Sequence, residues 1–255
     1  TLFRSFSHTK APTFARPTVE EDDKPWAWQS KEFLRKLAVG KKARAEFDFS
    51  KEMKEGRQMN FYSVIITDGD KSINLNYEII FQGLAITNPP RGNDNDVSKY
   101  LETYLEAEVK AKEGKKGLHS TKNPGIPNYC DLIQANIKKK KEFVARNSNL
   151  KNVPCVVEYT FSATRFKLRI DKTTCFIPFK LIGLKCVDKD KNNTPQLDEL
   201  FSKGAEYVND NFLQREGVCD VVQTDKMGNY FGFLTVGGVN VGSALLKEGL
   251  AIIHN

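Results

Sequence analysis

No two of the five cysteines, Cys130, Cys155, Cys175, Cys186 and Cys219, stand in a C-x-x-C spacing, and an odd number cannot pair completely. That excludes a zinc ribbon and a disulfide scaffold, and predicts reduced, intracellular thiols that neither bind metal nor staple the fold. Histidine is scarce as well. His8, His119 and His254 are scattered without a carboxylate or cysteine partner nearby in the chain, so a histidine-based catalytic or metal site is not expected. Long hydrophobic runs are also missing: the richest segment, CFIPFKLIGLKCV, is broken by lysines well short of a membrane span, and there is no signal-peptide core. A membrane partner is therefore not expected. The sequence does not begin with Met, and its first residues read as a fragment starting inside a strand.

Positive charge is in excess. Lysine and arginine number 39 against 32 acidic residues, a net charge of +7 that makes polyanions the default partner, solubility being the plainer alternative. The chain also repeats itself: NLNYEIIFQGLAI at 74–86 returns as NVGSALLKEGLAI at 240–252. One long offset indicates a duplicated domain rather than a solenoid. In each copy an Asn caps a short helix, aliphatic residues line one side (Leu75, Ile79 and Ile80; Val241, Leu245 and Leu246), and Gly83 or Gly249 stops it. FYSVIITDGD and YFGFLTVGG precede the copies as strands ending in tight turns.

Periodicity fills in the rest. EEDD and Pro25 introduce a helix bearing Phe33, Leu34 and Leu37 and ending at Gly40, with the acids complementing its dipole. Ala43, Ala45, Phe47 and Phe49 alternate with charges as a half-buried strand, and Val97, Leu101, Tyr104, Leu105 and Val109 mark the apolar face of a longer helix. Residues 121–154 have linker composition, with TKNPGIPN, KKKK and NSNLKNVP around one short ordered segment near Tyr129–Ile133. CVVEYTF, RFKLRI and CFIPFKLIGL then read as three strands, followed by a helix carrying Leu197, Phe201, Ala205 and Val208, two more strands and the repeated helix. The fold class is α+β, best fitted by five-stranded OB-type barrels with packed helices. The predicted organisation is a domain over 1–120, a basic linker over 121–154 and a second domain over 155–255.

The phrases APTFARP, PWAWQSKEFLRKLAVGKK, EAEVKAKEGKKGLHS, FKLIGLKC, NDNFLQREGV, DKMGNYFGFLTVGG and LLKEGLA fall in an order that resembles the first two staphylococcal-nuclease-like repeats of the Tudor staphylococcal nuclease family. The resemblance covers nearly the whole chain. It implies two tandem barrels, the first lacking its first two strands and the second lacking the C-terminal helix that 97–114 supplies in the first. It also implies an RNA-binding scaffold of transcriptional co-activation and RNA silencing, with silencing, transcription or splicing proteins as partners, in cytoplasm and nucleus.

The family's founding nuclease holds calcium with two aspartates, aids water attack with a glutamate, and grips phosphate with two arginines. Carried onto the second domain, these positions become Thr164, Lys185, Asp188, Lys180 and Asn229; among the three acidic positions only Asp188 keeps its charge type. In the first domain Lys10 and Thr13 take the places of the second aspartate and the glutamate, and Arg57 is a stand-in for an arginine. An ammonium where calcium needs a carboxylate inverts the local charge, so no catalytic residue, metal or cofactor is expected; calcium enters only if the chain is instead a ribonuclease of structured RNA. A third possibility is a protein adaptor. Candidate contacts to single-stranded or duplex RNA are Lys31, Arg35, Lys36, Lys41, Lys42 and Arg44 of the first basic helix and strand, Lys138, Lys139, Lys140 and Lys141 of the linker, and Lys180 and Lys185. RFKLRI adds Arg165, Lys167 and Arg169 as an outward cationic face, with a merely solvated strand as the competing reading. Tyr230, Phe231 and Phe233 are candidates for stacking on bases, though core packing is the commoner use of such a strand.

Overall fold

The computed structural model describes residues 5–12, 25–52, 56–90, 97–122, 124–125, 127–147, 150–190 and 194–254. Thr13 and the EEDD run lie outside them. The chain divides into two compact units, 1–127 and 128–255. Each has its own apolar core.

In the first unit β1 (Thr9–Lys10) precedes α1 (Ala27–Ala38), β2 (Ala43–Glu52), β3 (Gln58–Asp68), β4 (Lys71–Asn74), α2 (Leu75–Phe81), β5 (Ile86–Thr87) and α3 (Leu101–Glu113). β2, β3 and β4 form an antiparallel sheet, β1 pairs with β5, and Phe6 makes a parallel bridge to Tyr62 on β3. β2 corrects one expectation. Its alternation is present, but Phe47 is 59% exposed, whereas Glu46 and Asp48 turn toward partners on the covered side, Tyr100, Ser7 and Ser63 among them. α3 corrects another. Its buried residues are Tyr104, Ala107 and Ala111, while Val97, Leu105 and Val109 are exposed. Two alanines let this helix lie close against α2, which larger side chains would prevent.

The second unit runs β6 (Cys130–Asp131), α4 (Ile137–Arg146), β7 (Val153–Ser162), β8 (Arg165–Ile170), β9 (Cys175–Leu181), β10 (Leu184–Lys185), α5 (Pro195–Phe212), β11 (Glu216–Thr224), β12 (Tyr230–Val236), β13 (Val239–Asn240), α6 (Val241–Lys247) and β14 (Ile252–Ile253). β7, β8, β9, β12 and β11 close into a five-stranded barrel because β12 pairs in parallel with β9 while β11 pairs with both β12 and β7. Inward residues such as Phe166, Leu168, Ile177, Phe179, Leu234 and Tyr230 fill it. This is the OB-type architecture. The Phe6 bridge to β3 repeats the parallel β9–β12 contact. Among the described residues, however, the first unit has no counterparts of β7 and β8.

The stretch expected to be a linker over 121–154 is largely structured. β6 pairs with β9, Leu132 and Leu150 are buried in the second core, and Asn136 caps α4 by accepting from the Lys139 amide at 2.9 Å. Phe143 and Val144 give that helix an apolar side that packs on the same core. The KKKK run is thus part of the first turns of a docked helix, held by the Asn136 cap before it and by Phe143 and Val144 after it.

The repeat is exact in its local chemistry. Asn74 accepts from the Tyr77 amide at 3.1 Å and Asn240 from the Ser243 amide at 2.9 Å, and Gly83 and Gly249 both adopt φ of 68°. Each helix then hands over to a short strand, β5 or β14.

Candidate nucleic-acid interface

One row of residues crosses four strands of the closed barrel. Ser162 on β7 pairs with Arg165 on β8, Arg165 with Lys180 on β9, and Lys180 with Phe231 on β12. Register shifts in β7 at Val157/Tyr159 and Thr160/Ser162 bulge the strand. A bulge leaves an extra residue free to be re-aimed. Glu158 turns in and Phe161 turns out, 44% exposed, to stand beside Arg165. Phe161, Arg165, Lys180 and Phe231, with Phe166, Pro178, Phe179, Asp225 and Asn229, line a groove of about 470 Å³.

The turn below the groove is held by one carboxylate. Asp225 accepts from the backbone amides of Met227 (2.9 Å) and Asn229 (2.8 Å) and from the Asn229 side chain (2.8 Å). Partial burial alone would raise its pKa, but these hydrogen bonds outweigh it and hold Asp225 below the usual carboxylate range. Gly228, at φ +79°, lets Lys140 of α4 pack on this turn, since a Cβ there would lie 2.6 Å from Lys140 Cβ. Docked this way, α4 brings exposed Lys138, Lys139 and Lys141 to the same unit as the groove.

The positions carried over from the nuclease have new occupations. Thr164 is buried, its hydroxyl 3.2 Å from Cys186 Sγ. Lys180 lines the groove. Lys185 does not; it is exposed on β10, paired with Ile252 of β14, and the cation next to Lys180 in the groove is Arg165. Asp188 accepts from Arg165 at 2.8 Å, and Asn229 closes its turn instead of reaching outward. Calcium does not fit this set: a hydroxyl committed to a thiol and an exposed ammonium replace its two carboxylates. Among the described residues no group of three or more His, Cys, Asp or Glu is arranged to hold a metal ion.

Other candidates divide. Arg169 is a correction: its side chain is 3% exposed, donating to Glu158 at 2.8 Å and Asp171 at 2.9 Å. The bulge that turns Glu158 in makes room for this pair, which the simple alternation of RFKLRI does not anticipate. Lys167 is half-buried, bound to Asp131 at 2.6 Å with its ammonium 4.4 Å from the Phe176 ring. Arg35 is buried too, against Glu32 at 3.0 Å. Lys31 sits over Trp28, Lys36 and Lys42 are exposed, Lys41 is half-buried, and exposed Arg44 donates to Glu46. In the first unit Lys10 lines a separate cavity of about 540 Å³ with Trp26, Pro12 and Lys122, which Arg57 does not reach. Of the three aromatics of β12, Tyr230 is core, while Phe231 is half-buried and Phe233 exposed. The reading of CVVEYTF as plain apolar strand missed Tyr159 and Phe161, although their spacing of two already placed them on one face.

A closed OB-type barrel with a cationic, aromatic-edged groove belongs to the class of nuclease-like barrels. The family model described as staphylococcal nuclease homologue matches residues 6–121 and 178–255. Ribonuclease TUDOR 1 of Arabidopsis thaliana is 28% identical over 276 aligned positions covering 96% of this chain and 27% of that protein, and Ribonuclease TUDOR 2 of the same plant is 30% identical over 268, covering 96% and 26%. Staphylococcal nuclease domain-containing protein 1 of Drosophila melanogaster is 27% identical over 237, covering 90% and 25%. The chain belongs to the staphylococcal nuclease homologue family, in its Tudor staphylococcal nuclease branch. It spans about a quarter of the length of these curated relatives.

Proposed function

We propose that this chain is an RNA-binding module that holds phosphate without cleaving it. The observation that carries this reading is the adjacent pair Arg165 and Lys180 in the groove; the family resemblance adds that Lys185 and Thr164 take the places of calcium ligands. Two fixed cations attract the phosphodiester in its ground state. Hydrolysis needs, in addition, groups that aim water and stabilise charge developing in the transition state, and those positions are filled by Asn229 and by an Asp188 already bound to Arg165. Within a longer protein, such a module fits a scaffold of RNA silencing and transcriptional co-activation acting in cytoplasm and nucleus, as the family resemblance implies. The plant relatives are named ribonucleases, which favours a second reading, a ribonuclease, with calcium dependence implied by the family resemblance.

The deciding experiment measures RNA affinity and cleavage on the same purified chain, in chelator and in calcium. The expected result is binding in chelator that weakens with salt at a log–log slope of about −0.7 per neutralised phosphate on single strands, reduced several-fold by Lys180→Gln, and no cleavage in calcium. Absence of RNA affinity at low salt sinks the proposal. Calcium-dependent cleavage abolished by Asp188→Ala establishes the ribonuclease.

A further inference from the structure

Beside the cationic row lies an aromatic surface that the phosphate-binding reading does not use. Tyr159 and Phe161, 55% and 44% exposed, project from the outer face of β7 with ring centroids 5.1 Å apart, edge to face. Phe231 closes the other end of the row beyond Lys180. Large aromatic rings exposed in a contacting pair are costly in water and are seldom left so without a partner. Tyr159 pairs across to Lys167, and Phe161 shares the groove with Arg165. Across four neighbouring strands the two groove cations, Arg165 and Lys180, are thus flanked by aromatic residues on β7 and β12.

We propose that Tyr159 and Phe161, with Phe231, form a stacking platform for the unpaired bases of single-stranded RNA whose phosphates are held by Arg165 and Lys180. This rests on the RNA-binding reading above and specifies it: a duplex keeps its base faces stacked inside and cannot offer them to a protein ring, whereas a single strand can. Charge complementarity selects the occupant. A purely apolar protein partner would have to desolvate Lys180 and the Arg165–Asp188 pair while supplying no charge in return, whereas a polynucleotide supplies a base face and an anion at each step. Sequence preference is weak, since every base has a π face.

The test compares a short oligouridylate, an abasic ribose-phosphate oligomer of equal length and a duplex, at low salt in chelator. The unmodified chain binds oligouridylate about tenfold or more tighter than the abasic oligomer. Tyr159→Leu with Phe161→Leu keeps apolar bulk but removes the π faces; it lowers oligouridylate affinity to the abasic level and leaves the abasic and duplex affinities unchanged. Tyr159→Phe with Phe161→Tyr restores the preference. Equal binding of oligouridylate and abasic oligomer by the unmodified chain overturns the platform while leaving phosphate binding intact, and needs no variant to fold. An unchanged oligouridylate preference in the Leu double variant also overturns it, because the bases are then recognised without these rings. Failure to bind any of the three probes defeats the RNA-binding reading itself.

Discussion

The Arg165 guanidinium donates to the Asp188 carboxylate at 2.8 Å, both side chains about half exposed. By the family resemblance Asp188 takes the place of the nuclease's glutamate; in this fold it restrains a groove cation. An exposed pair of this kind adds about 0–1 kcal/mol to stability. Its effect is chiefly on what Arg165 is free to bind.

Asp188→Asn therefore tightens RNA binding. Removing the anion leaves Arg165 available to a phosphate, with affinity rising several-fold and the salt slope steepening by about 0.7, while the melting temperature stays nearly constant. Fluorescence anisotropy against salt measures this; weaker binding would show that Asp188 acts in some other way.

The α4 lysines contribute charge without reading sequence. Replacing Lys138, Lys139 and Lys141 by Gln, and sparing Lys140 because it packs on Gly228, lowers affinity for unrelated RNAs by a similar factor and flattens the salt slope. Unchanged slope would leave these lysines a solubilising role only.

Arg169 belongs to stability and not to binding. Arg169→Ala removes the cationic partner of buried Glu158 and costs about 3 kcal/mol in urea unfolding. Under conditions where the variant remains folded, RNA affinity is unchanged, the reverse of the pattern expected for Lys180→Gln.

The two repeated glycines differ in what a methyl group would meet. Both have φ of 68°, but a Cβ on Gly83 would lie 2.3 Å from the Lys116 carbonyl oxygen, whereas one on Gly249 meets nothing within 4 Å. Gly249→Ala should cost about 1 kcal/mol from backbone strain alone, and Gly83→Ala roughly 3 kcal/mol or more. Chemical denaturation of the two variants checks the difference; equal costs would contradict it.

Alkaline pH weakens the first unit. Burial pushes the Tyr104 hydroxyl up to about 12, partly offset by hydrogen bonds with Ser63 and Asn74. In the unfolded chain it titrates near 10. The unfolded state thus loses its proton first, so stability is full below about pH 10 and declines from there to about 12. Tyr230 moves in the same direction in the second unit, so Tyr104→Phe removes only the first unit's share of the decline, read from thermal melts across that range.

Local chemistry was legible in the sequence wherever one residue type has one use. Asn74 and Asn240 as caps, Gly83 and Gly249 as stops, and the inward Phe166, Leu168 and Ile170 all follow from neighbours a few residues away. Charge counted along a strand was a poorer guide. Arg165, Lys167 and Arg169 share one alternation, yet they are respectively a groove cation, a half-buried partner of Asp131 and a buried partner of Glu158.

By itself, then, the sequence determined that there are two related units and which residues cap and end their repeated helices. Only the tertiary structure decided which cations face a ligand, because that depends on carboxylates brought in from β6, β7 and the segment after β10. It also decided the fate of matching positions: Ile80 is fully buried beneath α3, while Leu246, in the same place on α6, is 37% exposed. Burial belongs to what packs across from a residue, and no pattern within a single helix contains that information.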